Sequence, residues 1–69
     1  MDIVQKIRMS LAYKKMSESA LARAMGSSPS AFHQRMKVGK FTTKELNDMA
    51  TVMGAVYVAY FEFPDGTKA

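Results

Sequence analysis

The side chains best suited to chemistry lie in one basic stretch in the middle of this 69-residue chain. From Lys14 to Lys44 the chain carries seven basic residues and a single acid, Glu18, so the stretch has a formal charge of +6. The remainder carries a formal charge of −2, and the whole chain +4. A basic middle between milder ends is typical of a protein that binds a polyanion, although a solvated charged surface produces the same pattern.

The residue types required for catalysis or metal binding are sparse. The chain has no cysteine and a single histidine, His33, with no cluster of carboxylates beside it in the sequence. We therefore predict no disulfide, no metal site and no cofactor. No Ser/His/Asp or Cys/His combination, phosphate-cradling glycine loop or enclosed carboxylate pair is visible, and we predict that the protein is not an enzyme.

The apolar residues are not arranged for a membrane or for export. No run approaches the roughly 20 apolar residues that span a bilayer, and residues 1–6 lack the apolar region of a secretory signal. We expect a cytoplasmic protein with no membrane partner. A chain of this length predicts a single domain, residues 1–69, of modest stability, and oligomerisation is the expected source of further stability.

Four predicted helices must position the basic residues. The first covers about residues 2–15 and has an apolar stripe at every fourth position, formed by Ile3, Ile7 and Leu11. The second begins at the N-cap residue Ser17, with Met16 placed to pack on Leu21, and ends at Gly26.

The third helix is predicted from Ser28, because serine is a favoured N-cap and Pro29 suits the first helical position. Phe32 and Met36 form its apolar contacts, and its remaining surface is polar, as in a helix that is exposed or faces a polar partner. The fourth helix follows the capping box at residues 42–45 and ends at Gly54. Its apolar stripe is Leu46, Met49, Ala50 and Met53.

Beyond Gly54 the pattern changes to β-branched and aromatic residues. Residues 56–63 predict a strand, Pro64–Gly66 a turn and residues 67–69 a short return, so the β segment covers about residues 56–69. A lone hairpin is marginal in water, and we expect this strand to lie beside the helical body or the same strand of a second molecule. The predicted fold is mainly α, a compact four-helix domain with a C-terminal β strand or short hairpin.

The second and third helices together predict a helix-turn-helix unit at about residues 17–38. The helices are short, they meet across a tight turn at Gly26, and the small residue Ala22 stands where they must approach closely. Their shared core is predicted to be Leu21, Met25, Phe32 and Met36. In this arrangement the second helix of the unit enters the DNA major groove.

At these positions the sequence resembles the lambda-repressor-like (Cro/repressor-type) helix-turn-helix family. The matching residues are 17–26 (SESALARAMG), 28–32 (SPSAF), 39–42 (GKFT), 45–46 (EL), Ala50 and Gly54, within a resemblance that covers about residues 3–56. The tail is also similar to small phage and mobile-element regulators in which a strand follows the last helix. Glu18 stands where many members carry glutamine, and Pro29 where a base-reading side chain is often found.

The resemblance implies a DNA-binding surface on the third helix. Its base-contacting residues are expected to be Ser28, Ser30, His33, Gln34 and Lys37. Glutamine suits bidentate bonding to adenine, lysine or arginine suits guanine or phosphate, and histidine donates or accepts, so its base preference is open. The expected phosphate contacts are Ser27, Arg23, Arg35 and Lys40, with Lys14 and Lys15 as weaker candidates.

The resemblance further implies a bacterial or phage transcriptional regulator, expected to be a repressor, that binds double-stranded DNA sequence-specifically as a homodimer on an operator. The expected dimer contact is the apolar strand, through Val56, Val58, Tyr60 and Phe61. An alternative is a protein-interaction module, such as an antitoxin or accessory subunit, whose apolar strand binds a protein partner. A third possibility is sequence-indifferent nucleic-acid binding.

Overall fold

The computed structural model describes residues 2–69 and is mainly α. It contains four helices: α1 (Ile3–Lys14), α2 (Glu18–Ala24), α3 (Pro29–Val38) and α4 (Thr43–Val52). The predicted order and type of the helices are confirmed. α1 ends one residue earlier than expected, because Lys15 adopts a left-handed conformation with φ 54° and its N–H caps the last turn.

The helix starts are set by capping side chains, as the sequence predicts. The N–H of Ala20 donates to the hydroxyl of Ser17 (3.0 Å), and that of Ala31 donates to the hydroxyl of Ser28 (3.1 Å). α4 begins with the full capping box, in which the Glu45 carboxylate accepts from the backbone N–H of Thr42 (2.8 Å). Each bond satisfies an N–H group that the helix cannot pair internally, which fixes where the helix begins.

α1 also begins with a capping box, which the sequence analysis did not identify. Asp2 accepts from the N–H of Gln5 (2.8 Å), and the Gln5 amide oxygen accepts from the N–H of Asp2 (2.9 Å). The pattern is less familiar with aspartate than with serine or threonine at the first position, but its geometry is the same.

The apolar stripes of all four helices meet in one core. Leu21, Met36 and Met49 are the largest fully buried side chains, and they come from α2, α3 and α4. The other buried members are Ile7, Leu11, Ala22, Phe32, Ala50 and Met53. Burying a leucine or methionine side chain contributes about 1.5–3 kcal/mol, so these contacts hold the short helices in place despite their length.

The C-terminal segment differs from the prediction. Residues 2–69 contain no strand; the tail has one antiparallel bridge, between Glu62 and Lys68, across the predicted turn at Pro64–Gly66. Residues 56–60 run without any backbone–backbone hydrogen bond to the described part of the chain. A strand exists only where a ladder partner pairs with it, and a single copy supplies none for this segment. The predicted hairpin is therefore reduced to its turn and a bridge.

Candidate nucleic-acid interface

The candidate interface is built on the α2–α3 pair. The connection is short because Gly26 takes a left-handed conformation with φ 78°, which a residue with a Cβ rarely adopts. The N–H of Ser27 then returns to the carbonyl of Ala22 (2.9 Å), closing the end of α2. Ala22 is fully buried, so its small side chain allows α3 to cross α2 closely.

Three polar residues of α3 point away from the core. Phe32 and Met36 are buried, which fixes the inward face, and Ser30, Gln34 and Lys37 follow one another at helical spacing on the opposite side. All three are exposed, and their side chains form no hydrogen bond or ion pair within residues 2–69. We call these three residues the outward face of α3. Its donors and acceptors are available to a ligand.

One flank of α3 is connected to α2 through His33. The Nδ1 atom of His33 lies 3.1 Å from Oε2 of Glu18, the first residue of α2. The side chains are 49% and 29% exposed, so the pair lies at the surface. This contact links residues 15 positions apart in the sequence and joins the two helices of the unit outside their apolar core.

The other flank of α3 is connected to α4 through Arg35. Its guanidinium reaches both carboxylate oxygens of Glu45, at 2.8 and 2.9 Å, and donates to the carbonyl of Lys40 (3.1 Å). It also lies 5.1 Å from the centre of the Phe41 ring, within cation–π range. The hydrogen bond from Arg35, followed by that from the Thr42 N–H, lowers the pKa of Glu45 to about 2.

The predicted phosphate contacts occupy different environments. Arg23 and Lys40 are exposed, and their cationic groups form no ion pair within residues 2–69. Ser27 is half-buried at the start of α3, where its hydroxyl donates to the carbonyl of Ser28 (3.2 Å). Arg35, by contrast, already binds a carboxylate. Lys14 and Lys15 lie at the end of α1 and are exposed.

Ser28 is both the N-cap of α3 and a predicted base contact. Its oxygen accepts from the N–H of Ala31, which leaves its hydroxyl proton available as a donor. Of the five predicted base contacts, the structure thus leaves Ser30, Gln34 and Lys37 uncommitted and engages Ser28 and His33 in contacts within the chain.

The predicted dimer contacts lie on the C-terminal tail, residues 55–69, and are exposed. Val56 is 83% exposed and Phe61 77%, with Val58 and Tyr60 also more than half exposed. The first part of the tail borders an apolar groove between α1 and α4, lined in part by Met9, Met49, Met53 and Tyr57. Met9 and Tyr13 extend this apolar surface onto α1.

Sequence reasoning missed both flank contacts and the α1 portion of the apolar surface. The pairs of Glu18 with His33 and of Glu45 with Arg35 join residues that are 15 and 10 positions apart, and helical periodicity within one element does not reveal contacts between elements. One signal was present for the first pair, because Glu18 is the single acid of the basic stretch. A signal was also present for the apolar surface on α1, because Met9 and Tyr13 are apolar residues that lie off the apolar stripe of that helix.

Within residues 2–69, no three His, Cys, Asp or Glu side chains lie close enough together to hold a metal ion. In the same range no helix has the length and apolar character needed to cross a bilayer.

Comparison with known proteins leaves the chain without an identified relative. It matches no family model, no curated protein and no solved structure.

Proposed function

We propose that this protein binds double-stranded DNA sequence-specifically, with α3 in the major groove. The observation that carries the proposal is the uncommitted outward face of α3: Ser30, Gln34 and Lys37 are exposed and polar, and their side chains form no hydrogen bond or ion pair within residues 2–69. The buried face of the same helix packs into the core that it shares with α2 and α4. A polar helix held by its buried face is the element that major-groove recognition uses, and this arrangement supports the proposal.

Each residue of the outward face has a role in this proposal. Gln34 lies near the centre of the face and bonds adenine through its amide in a bidentate manner. Lys37, one turn nearer the end of the helix, reaches guanine or a phosphate. Ser30 lies close to the start of α3 and contacts a base edge or the backbone. A good bidentate pair contributes about 1–3 kcal/mol of discrimination against the wrong base, so Gln34 is the largest expected source of specificity.

Phosphates are held on both sides of this face. Arg23 and Lys40 supply cations without an internal partner, and Ser27 and Ser28 lie at the start of α3, where the helix dipole favours an anion. Arg35 contributes to phosphate binding only if it leaves Glu45. We therefore assign it first to holding α3 against α4.

We further propose that the protein acts as a homodimeric transcriptional regulator, a repressor that occupies an operator. One module of this size buries little area on DNA, whereas a two-fold dimer reads two half-sites about one helical turn apart. The exposed apolar side chains and unpaired backbone of the tail support self-association through Val56, Val58, Tyr60 and Phe61.

The first test is selection from a random duplex library at about 150 mM salt, at which non-specific attraction is weakened. We expect enrichment of a palindrome with half-sites about one turn apart. Gln34→Ala should relax one base position in each half-site, while the matched variant Asn47→Ala, on the exposed side of α4, should leave the enriched sequence unchanged. Similar affinity for every duplex, with a steep salt dependence, would instead indicate sequence-indifferent binding.

A second candidate function is favoured by the tail alone. Its exposed valine and aromatic side chains also suit an antitoxin or accessory subunit that binds another protein. A stoichiometric heteromeric complex recovered from native cells, and lost when Val58 is replaced by aspartate, would favour this role. A wild-type library selection that enriches no sequence and finds only weak, salt-sensitive binding to every duplex would shift the assignment in the same direction.

A further inference from the structure

The contact between His33 and Glu18 has a consequence for what His33 presents to a ligand. Glu18 lies on α2 and His33 on α3, and the two helices share one core, so the helix crossing brings the two side chains to a separation of 3.1 Å. Only Nδ1 of the imidazole faces the carboxylate. The other ring nitrogen, Nε2, forms no hydrogen bond within residues 2–69, and the ring geometry directs it away from Glu18.

We propose that Glu18 fixes the neutral His33 ring in the tautomer that carries its proton on Nδ1, so that Nε2 is presented outward as a hydrogen-bond acceptor. An ionised carboxylate only accepts hydrogen bonds, so the nitrogen beside it must carry the proton. A neutral imidazole has one N–H group, and its second nitrogen then holds a lone pair. Glu18 is thus a positioning residue that acts through His33.

This tautomer restricts the bases that His33 can read. In the major groove the hydrogen-bond donors are the amino groups of adenine and cytosine, whereas guanine and thymine present acceptors at the corresponding edge. An outward acceptor on His33 therefore selects adenine or cytosine and disfavours phosphate. This part of the inference rests on the proposed DNA binding through α3, whereas the tautomer itself does not.

The tautomer is tested without DNA. Long-range ¹H–¹⁵N correlation spectra of the imidazole, recorded at about pH 8.5, at which an ordinary imidazole is neutral, identify which nitrogen is protonated. We expect a protonated Nδ1 and an unprotonated Nε2 in the wild-type protein, and loss of this pattern in Glu18→Ala. Asp48→Ala removes a carboxylate that pairs with Lys44 instead, and should leave the spectrum unchanged. A wild-type ring protonated on Nε2, or a pattern that persists in Glu18→Ala, would overturn the proposal.

The base preference is tested by repeating the duplex selection with Glu18→Ala. We expect one base position that favours adenine or cytosine to lose about fivefold of its discrimination, the effect of one net hydrogen bond. Unchanged preferences in this variant would overturn the reading role of His33 even where the spectra show the expected tautomer. Absence of any enriched sequence for the wild type would remove the proposal of sequence-specific DNA binding and the reading role with it, while the spectra decide the tautomer separately.

Discussion

The outward face of α3 and the C-terminal tail are the two exposed regions with the clearest binding potential, and they are built in opposite ways. The face of α3 is polar, and its helix is held by buried Phe32 and Met36, by the His33–Glu18 contact on one flank and by the Arg35–Glu45 ion pair on the other. The tail is apolar, its residues 56–60 have no backbone partner within the described chain, and its only pairing is one bridge. A ligand of α3 therefore meets a preformed surface, whereas a ligand of the tail must also complete its secondary structure.

In the proposed function, this difference separates the specificity of DNA binding from the assembly of the dimer. Polar groups on a fixed helix are stable in water without a partner, so their arrangement can be selected for what they recognise. Exposed valine and aromatic side chains beside open backbone groups favour association with a matching segment. Between Ala55 and Phe61 the tail carries no charge, so two copies pair without electrostatic repulsion. We therefore propose that DNA reading and self-association are divided between the two regions.

The largest effect is expected from a charge placed in the tail. Val58→Asp buries a carboxylate in any tail-mediated dimer, which weakens self-association at least about tenfold, since each ~1.4 kcal/mol is a tenfold change. Val58 is 66% exposed in the single chain, so the fold should remain intact. Sedimentation equilibrium at high micromolar concentration measures the effect, and Asn47→Asp provides the same charge change on α4.

Val58→Asp also tests whether the tail and the outward face of α3 act independently. The base preferences within a half-site should remain those of the wild type, while affinity for the full palindrome falls with the loss of the dimer. A wild-type protein that is strictly monomeric at high micromolar concentration contradicts the assembly role of the tail.

The sequence predicted the caps and buried faces of the helices better than it predicted the structure of the tail. The helix caps form hydrogen bonds to residues three positions away, as at Ser17, Ser28 and the 42–45 capping box. Buried positions recur with the helical period. The caps and the buried face can therefore each be predicted from one segment of the sequence. The strand expected at residues 56–63 depends on a partner that no single segment supplies. β-branched composition identifies a segment able to form a strand, but the ladder forms only with a neighbour.

The sequence predicted which residues of α3 face outward better than it predicted which of them are free of contacts with other helices. The residue types of α3 identified Gln34 and Lys37 as outward-facing, and burial of Phe32 and Met36 agrees with that face. Whether an outward residue is available depends on contacts between helices. Arg35 was predicted as a phosphate contact and His33 as a base contact, yet each meets a carboxylate from another helix. The helix crossing decides these pairings, and periodicity does not encode them.

A smaller effect is expected from removing the cations that border α3. Arg23→Ala and Lys40→Ala should each weaken binding a few-fold for every duplex and lower the salt dependence of binding by about one phosphate contact. Lys44→Ala, whose ammonium is paired with Asp48 at 2.8 Å, is the control and should change the salt slope less. Fluorescence anisotropy across a salt series gives both quantities. A change in the selected sequence with Arg23→Ala or Lys40→Ala would show that these cations contact bases. Base recognition would then not be confined to the outward face of α3.

The smallest effect is expected from the flank that joins α3 to α4. Glu45→Gln keeps the capping box, because glutamine also accepts from the Thr42 N–H, but it removes the charge that pairs with Arg35. The pKa of Glu45 is lowered from an ordinary 4.5 to about 2 in the folded protein, so the ion pair stabilises the fold above about pH 4.5 and is lost as the pH falls through 2.

Thermal unfolding followed by circular dichroism should therefore show the variant melting a few degrees lower than the wild type at pH 7, with the difference vanishing near pH 2. Asp48→Asn removes a carboxylate whose ion pair with Lys44 lies within α4, and should alter the melting temperature less. Equal melting temperatures of Glu45→Gln and the wild type at every pH would mean that the charge of Glu45 does not help to hold α3. The contrast of the outward face with the tail would then rest on buried Phe32 and Met36 and on the contact of His33 with Glu18.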